Sequence, residues 1–396
     1  MAILFISSLT PDREEYWTSA FSRSGFNVIQ GVGLSMADLV GNDQIEYISM
    51  PSYQSYPNAP LWIKGKKDTL ENGVKVTILS TLNLKVIKSI HWSLQYVRII
   101  QNWAKKHQGE ECKVLIYNTY HPSIDHIYKA CKKAGVKLYC MLYDLGVPPK
   151  RLRLSKLTMI GYERAEKIAE KYIPLLDGRI VINERIVSHY APDKDFLLVD
   201  GGITDQLVSK LFPLKVSKSK TCTFVLAGML WDQNGTRLVL EALKIRPNLN
   251  VKIKICGKGI DVPLIEEAAK EDSRIEYLGM LTQDQLFKVY EEADVLLNLR
   301  IEEEGDFHFP GKLLECLTMG KLVVSTPIAH AERDYGKYMK VLHDVTSEGL
   351  SNLMQEITET PKYELYELGK RARVFMLKNR TWKKRTEDII AYMNIK

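Results

Sequence analysis

The fold of this chain is decided by the segment Phe309-Pro310-Gly311-Lys312-Leu313-Leu314-Glu315. It follows an apolar run, Val295 to Leu299, and a polar loop that extends to His308. Proline is favoured in the first turn of a helix because its φ is already helical and its missing N–H needs no partner there. The segment therefore predicts a strand, a loop and then a helix that begins at Pro310.

The beginning of this helix has the residue types that a nucleotide needs. First-turn N–H groups from Gly311 to Leu313, together with the helix dipole, favour a diphosphate, and Gly311 lets a phosphate approach the backbone closely. Lys312 adds a positive charge, and Glu315, one turn beyond Gly311, is placed to accept hydrogen bonds from two ribose hydroxyls. Taken alone, the same residues also fit an ordinary helix start followed by a solvated surface acid.

The rest of the C-terminal half supplies the context for this segment. Short apolar runs alternate there with amphipathic stretches of helical length, which is typical of a parallel sheet covered by helices. The predicted strands are 221–227, 251–256, 295–299 and 322–325, and the predicted helices are 236–244, 263–271, 284–292 and 312–319. Ligands of such sheets bind beyond the carboxyl ends of the strands. The loops after Ala227, Cys256 and Leu299 are therefore expected to line one crevice.

This arrangement resembles the GT-B glycosyltransferases of family 4, a large bacterial group. The resemblance rests on the F-P-x-K-L-L-E signature, on the Val-rich strand after Gly320, and on two glycine loops, Phe224 to Gly228 and Ile255 to Gly259. It implies an α/β GT-B fold, in which two Rossmann-like, doubly wound parallel-sheet domains face a central cleft. The implied division is an acceptor-binding domain at 1–205, a donor-binding domain at 206–380, and a helix at 381–396 that crosses back to the first domain.

The resemblance also implies a donor site at the carboxyl edge of the C-terminal sheet. Its expected residues are Gly228, Lys258, Arg300, Gly311, Lys312, Leu313 and Glu315. The sequence departs from the family where Met229 and Asn234 replace a frequent basic pair, and where Phe307 replaces the first glutamate of the fuller signature. Two alternatives follow: Arg300, Lys258 and Lys312 neutralise the donor phosphates, which we favour, or the chain is a non-catalytic partner subunit.

The N-terminal half shows the same alternation less regularly. Strands are predicted at 3–7, 114–117, 137–142 and 178–182, and helices at about 14–24, 84–106 and 123–133. The family commonly has a histidine that faces the donor sugar, and the equivalent place here holds Tyr143, followed by Asp144. Asp144 is one candidate catalytic residue, able to orient a hydroxyl or to act as a base, and His121 is a weaker one. Asp144 fits an Asx turn or helix cap equally well, and His121 also fits a solvated loop side chain.

Composition sets limits on partners and location. The chain has 396 residues, enough for two domains, and a formal charge of +7, with the excess of Lys and Arg in its first half. The amphipathic stretch 84–106 fits either a helix that packs on the sheet or one that lies on an anionic membrane surface. No apolar run is long enough to span a bilayer, and no nucleic-acid motif is present. Six scattered cysteines with no C-x-x-C pair indicate a reducing compartment, no disulfide framework and no zinc site. We therefore expect a cytoplasmic protein or one peripheral to the inner face of the plasma membrane.

The expected function is that of a retaining, metal-independent hexosyltransferase that uses no cofactor. Its donor would be a nucleotide-diphosphate sugar with uridine or guanosine as the base, and its acceptor a glycan or a lipid-diphosphate-linked glycan. Synthesis of a bacterial surface polysaccharide or glycoconjugate is the expected role. The alternative is a non-catalytic GT-B subunit that binds a glycan, a glycoprotein or a partner glycosyltransferase. A nucleotide-sugar epimerase of the same fold is disfavoured, because the C-terminal signature is that of transferases.

Overall fold

The structure is a computed structural model that describes residues 1–18, 22–85, 87–118, 124–143, 156–301 and 307–395. The chain divides into two compact units. The first consists of Met1–Gly202 and Trp382–Lys396, and the second of Ile203–Thr381. The predicted boundaries, after residues 205 and 380, differ from this division by three residues and one residue. Among the described residues, no helix is both long enough and apolar enough to cross a bilayer.

The first unit is built around a largely parallel sheet. Its strands are β1 (Ala2–Ser7), β2 (Ile45–Ser49), β3 (Trp62–Ile63), β4 (Lys66–Thr69), β5 (Lys75–Ile78), β6 (Thr81–Leu82), β7 (Cys112–Tyr117), β8 (Lys137–Leu142), β9 (Gly178–Val181) and β10 (Leu197–Leu198). Its helices before residue 203 are α1 (Arg23–Val40), α2 (Ile87–Lys106), α3 (Ile124–Ala134), α4 (Lys156–Tyr172) and α5 (Arg185–Tyr190). Within the described residues, the main sheet has the order β10-β9-β8-β7-β1-β2-β5-β4, and β3 pairs with β6 outside it. Among its described strands, β4 and β5 pair antiparallel and the other neighbours pair parallel. The predicted first strand, β1, lies inside this sheet between β2 and β7.

The predicted helix at 14–24 is wrong. A short 3-10 turn covers Glu14–Tyr16, and the long helix α1 begins at Arg23 with Ser22 as its N-cap. The sequence did not indicate a helix over residues 23–40 because this stretch contains Gly31 and Gly33, and glycine lowers helix propensity. Tertiary packing overrides that propensity. A β-carbon at Gly31 would lie 2.3 Å from the ring of Trp382, and one at Gly33 would lie 2.7 Å from Leu9. Close packing in the folded unit therefore requires glycine where local propensity disfavours it.

The second unit contains the remaining elements. Its strands are β11 (Cys222–Met229), β12 (Val251–Lys258), β13 (Ile275–Tyr277), β14 (Val295–Asn298), β15 (Leu322–Ser325) and β16 (Lys340–Val341). Its helices are α6 (Asp205–Ser209), α7 (Thr236–Ile245), α8 (Val262–Glu271), α9 (Gln283–Glu292), α10 (Gly311–Thr318), α11 (Ala331–Tyr335), α12 (Ser347–Glu359) and α13 (Lys362–Asn379). The predicted strands and helices of this half are confirmed to within about two residues at each end.

The sheet of the second unit is parallel throughout its described strands, in the order β13-β12-β11-β14-β15-β16. The chain runs outward from β11 through β12 to β13, and then returns to build the other side from β14. The strand order therefore reverses between β11 and β14, and in sheets of this kind a crevice opens beyond the carboxyl ends at that reversal. A core of buried aliphatic side chains on β11, β12, β14 and β15 holds these strands in register.

The last helix, α14 (Trp382–Ile395), belongs to the first unit. Trp382 is buried there in one core cluster with Ile29 and Val32 of α1. The Tyr139 hydroxyl of β8 donates to the carbonyl of Met393 at 2.9 Å, and the fully buried Lys113 donates to Asn394 at 3.0 Å. The C-terminal segment therefore completes the core of the first unit.

Candidate functional site

The glycine loops after β11 and β12 meet at the carboxyl edge of the second sheet. Gly228 and Gly257 are paired in register, and both have a positive φ, of 124° and 135°. A β-carbon at Gly257 would lie 1.8 Å from the carbonyl oxygen of Gly228, so no other residue fits there without movement of the backbone. The two glycines therefore bring the backbones of both loops close together beside the point where the strand order reverses.

Hydrogen bonds hold the loop after β11 from two sides. The amide of Leu230 donates to the carbonyl of Lys258 at 2.8 Å, which ties the loop to the end of β12. On the other side, the amide of Ile301 donates to the carbonyl of Gln233 at 2.9 Å, which ties the loop to the segment after β14. The three loops that were expected to line one crevice are thus connected by their backbones.

Helix α10 begins at this edge, with Pro310 as its N-cap and Gly311 as its first residue. A β-carbon at Gly311 would have no atom of the described residues within 4 Å outside its own helix backbone and chain neighbours, so the backbone there is open to a ligand. The amide of Leu313 was predicted to donate to the ligand. It donates instead to the carbonyl of Pro310 at 2.8 Å and is therefore not available to a phosphate. No acceptor among the described residues pairs with the amides of Gly311 and Lys312. These two N–H groups and the positive end of the helix dipole remain for an anion.

Lys312 brings a cation to the same place. Its Nζ lies 3.2 Å from the position that a β-carbon would take on Gly228. The ammonium group of this partly exposed lysine therefore lies next to the backbone of the loop after β11. Since it stands between that loop and the first turn of α10, a phosphate bound there would contact both the ammonium and the free amides.

Glu315 lies one turn along α10, and it is only partly exposed. Burial raises the pKa of its carboxyl above the usual glutamate value, while Lys312 and the phenol of Tyr290 offset part of this rise. Tyr290, at the end of α9, is itself only 1% exposed, and burial raises the pKa of its phenol well above the usual value. The site therefore contains a partly desolvated carboxyl group with a cation on one side and a phenol next to it.

Residues 221–358, which include all of this site, match the family model described as Glycosyl transferases group 1. Most of the second unit is therefore similar to this family. No curated protein is significantly similar to the chain in sequence.

Solved structures resemble the whole chain at low sequence identity. HepE of Anabaena, in complex with UDP, has a TM-score of 0.62 at 14% identity over 100% of both chains. WaaB, a galactosyltransferase of the lipopolysaccharide outer core, has a TM-score of 0.63 at 15% identity over 99% of both chains. A glycosyltransferase from Rickettsia africae has a TM-score of 0.64 at 14% identity over 100% of this chain and 98% of its own. The predicted α/β GT-B fold with two Rossmann-like domains is confirmed.

The other residues predicted for the site have different placements in the second unit. Arg300 is fixed through its backbone, because its amide donates to the hydroxyl of Thr326 at 3.0 Å. Lys258 is exposed at the end of β12, beside the loop that follows β11. The predicted catalytic residues, Asp144 and His121, lie outside the described residues, and their roles stay predictions.

The positions that depart from the family pattern are linked to one another. The side-chain amide of Asn234 donates to the carbonyl of Met229 at 2.7 Å, so the two residues in place of the usual basic pair close the loop on itself. The side chain of Met229 is exposed. Among the described residues, the Lys312 ammonium is the group that lies within 4 Å of the β-carbon position of Gly228.

Two features of the site were not predicted as functional from the sequence. In the sequence, Tyr290 fits an apolar position of a helix. The structure shows that its phenol lies near Glu315 and affects the pKa of that carboxyl group. Phe309 is buried and stacks on the imidazole of His330, with ring centroids 4.6 Å apart. This stacking holds the residue before Pro310 in the core of the second unit. In the sequence, the signal for this contact is the aromatic residue at the first position of the signature.

Proposed function

We propose that this chain transfers a hexose-type sugar from a nucleoside diphosphate sugar to a glycan or lipid-diphosphate-linked glycan acceptor, with retention of anomeric configuration. The observation that carries the proposal is the Lys312 ammonium, held against Gly228 at the open first turn of α10. Glu315, one turn further on, is the residue proposed for the ribose hydroxyls. The complexes of HepE with UDP and with UDP-glucose support a uridine nucleotide as the first donor to test.

The proposed chemistry needs the protein mainly to stabilise a leaving group. The bond between the anomeric carbon and the donor phosphate oxygen breaks, and its electron pair stays on the diphosphate. The acceptor hydroxyl oxygen bonds to the anomeric carbon on the same face, and its proton passes to the departing phosphate oxygen. Lys312, with the amides of Gly311 and Lys312 at the positive end of α10, would offset the new charge, which is why we propose that no metal is required.

An acceptor carried by lipid fits a surface of the first unit. Ile87, Ile90 and Leu94 are exposed at helical spacing on α2, and Leu94 has 64% of its surface exposed. Exposed Trp62 lies beside them, with its ring centroid 6.0 Å from that of His91. We propose that this face touches the anionic inner surface of the plasma membrane, in the synthesis of a bacterial surface polysaccharide or glycoconjugate.

The membrane proposal is tested by co-sedimentation with vesicles of phosphatidylglycerol and phosphatidylcholine. Wild-type protein is expected to pellet at low salt and to be released as salt rises. Leu94→Gln is expected to pellet less, because it removes buried apolar area from the complex, whereas Val374→Gln on α13 of the second unit, 60% exposed in the wild type, is the matched control. Equal loss in both variants, or no binding at low salt, would contradict this proposal.

A second candidate function follows from Asn234 and Met229, which stand where the family often has a basic pair. Without the usual basic pair, the chain could bind a glycan, a glycoprotein or a partner glycosyltransferase without catalysing transfer. Nucleotide binding separates the two functions: the transferase is expected to bind UDP or GDP, and a subunit without a donor site is expected to bind neither.

The deciding experiment combines calorimetry with a donor hydrolysis assay. Wild-type protein is titrated with UDP and GDP, and then incubated with the corresponding glucose donors, so that release of free sugar reports activation of the donor. Glu315→Ala is expected to abolish both signals, and Glu267→Ala, an exposed acid on α8, is the control. Binding and hydrolysis that survive in Glu315→Ala would disprove the site, and failure of both nucleotides to bind wild-type protein would favour the non-catalytic subunit.

A further inference from the structure

The first unit contains a pocket of about 350 Å³ at the carboxyl ends of its central strands. Residues just after β1, β2 and β7 form its floor, and the first turns of α1 and part of α2 form its walls. This is the edge of a doubly wound sheet at which ligands bind, and the volume is within the range of small-molecule sites. The pocket is therefore a candidate binding site distinct from the one in the second unit.

A buried lysine, Lys88 on α2, lines this pocket. It is only 8% exposed, and its ammonium donates to the carbonyl of Tyr53 at 2.9 Å. The same ammonium lies 5.3 Å from the ring centroid of Trp92. No Asp or Glu is among the described residues that line the pocket, and burial lowers the pKa of Lys88. A cation that is desolvated and has a carbonyl and an aromatic ring as its neighbours is stabilised further by an anion.

The first turn of α1 adds to the same potential. This helix has 18 residues, Ser22 as its N-cap and no acid in its first turn, so its own residues do not offset the positive end of its dipole. Ser22, Gly25 and Phe26 all line the pocket. A β-carbon at Gly25 would lie 3.6 Å from the Tyr117 hydroxyl, which places the phenol directly against this turn.

The remaining lining suits the mixed surface of a sugar. It combines aromatic rings with hydroxyl groups from strand ends, as carbohydrate sites require flat apolar faces beside hydrogen-bonding groups. The lining includes the aromatic residues Tyr53, Trp92 and Tyr117 and the hydroxyl-bearing residues Ser7, Ser8 and Thr10. The hydroxyl of Ser7 is held in place, because it accepts a hydrogen bond from the amide of Leu9 at 3.2 Å.

We propose that this pocket binds an acidic sugar of the acceptor, and that Lys88 is the counter-ion for its phosphate or carboxylate group. That this sugar belongs to an acceptor rests on the proposed transferase function, but its binding in the pocket does not depend on that function. Lys88 here determines specificity: a neutral sugar of the same shape leaves the ammonium without an anion, and an acidic sugar pairs with it.

The test measures binding of three anions and one neutral ligand to the full chain by calorimetry: glucose 6-phosphate, glucuronate, inorganic phosphate and glucose. At least one anion is expected to bind wild-type protein about tenfold to a hundredfold more tightly than glucose, since a hydrogen bond to a charged group contributes that much. Lys88→Met, which keeps the apolar stem, is expected to remove this advantage. Lys105→Met, an exposed lysine on the same helix, is expected to keep it.

The outcomes distinguish the source of the anion and a merely structural role. Preference for glucose 6-phosphate assigns a phosphate group, preference for glucuronate a carboxylate, and strongest binding of inorganic phosphate an anion site without sugar selectivity, which would overturn the acidic-sugar assignment. If Lys88→Met weakens glucose as much as the anions and also lowers the melting temperature, Lys88 is structural and the proposal is wrong. Absence of Lys88-dependent binding for all three anions also overturns it.

A parallel titration with UDP separates this proposal from the transferase function. UDP binding without any Lys88-dependent anion binding refutes the pocket and leaves the donor site intact. Lys88-dependent binding of an acidic sugar in a protein that binds neither UDP nor GDP supports the pocket and refutes the proposed transferase.

Discussion

Replacing Lys312 with methionine tests the central feature of the candidate donor site. The variant keeps the apolar stem of the side chain and removes the ammonium that lies 3.2 Å from the β-carbon position of Gly228. A charge-assisted hydrogen bond of this kind contributes about 1.5–3 kcal/mol, so the affinity for UDP should fall about tenfold to a hundredfold. Uridine has no phosphate, and its affinity should stay within about twofold of wild type, since about 0.4 kcal/mol corresponds to that factor.

The assay is calorimetric titration of UDP and uridine into wild-type protein, Lys312→Met and the control Lys270→Met. Lys270 is an exposed lysine near the end of α8, and its loss changes the net charge by the same amount. The ratio of UDP to uridine affinity isolates the phosphate contact from any general weakening of the site. A ratio that is unchanged in Lys312→Met, or that falls equally in Lys270→Met, would refute the assignment of Lys312 to the donor phosphates.

Three further predictions concern the same edge of the sheet. Gly257→Ala should lower the free energy of unfolding by about 2–5 kcal/mol in a urea titration, because its β-carbon would lie 1.8 Å from the Gly228 carbonyl oxygen at a φ of 135°. Gly161→Ala on α4 is the control. A β-carbon there would have no atom of the described residues within 4 Å outside its own helix backbone and chain neighbours, so this change should not lower the free energy of unfolding. Because burial raises the pKa of Glu315, its effect on stability is most favourable below the ordinary glutamate pKa and is lost as pH rises through the raised value. Glu315→Gln should therefore become more stable relative to wild type as pH rises across that window, as measured by urea unfolding at a series of pH values, and UDP affinity of wild type should rise over the same window as the carboxylate forms. A stability difference that stays flat with pH would show that Glu315 titrates normally.

Most of the second unit could be predicted from the sequence because its signals are local. Parallel strands buried on both faces are apolar along their whole length, and each is bounded by a glycine or a polar loop. The helix start at Pro310 is likewise a local signal, and α10 begins at the very next residue. Gly228 was predicted for the site, and the structure adds that its partner in register, Gly257, is packed even more tightly.

The first unit was harder to predict because distant contacts determine it. Gly31 and Gly33 disfavour a helix locally, and they lie within α1 because Trp382 and Leu9 need the space that a β-carbon would fill. Lys88 gave no separate signal on its amphipathic helix. Its burial beside Tyr53 and Trp92 depends on strand ends far away in sequence, so only the folded unit reveals the pocket.

The sequence by itself determined the parallel sheet of the second unit, the start of α10 and the residue types at its first turn. These depend on hydrophobic periodicity and on the preferences of proline and glycine, which act over a few residues. The tertiary structure alone decided that the Lys312 ammonium lies against Gly228 and that Tyr290 lies beside Glu315. Those facts depend on how separate strand ends converge at one edge of a sheet, and no local pattern encodes that convergence.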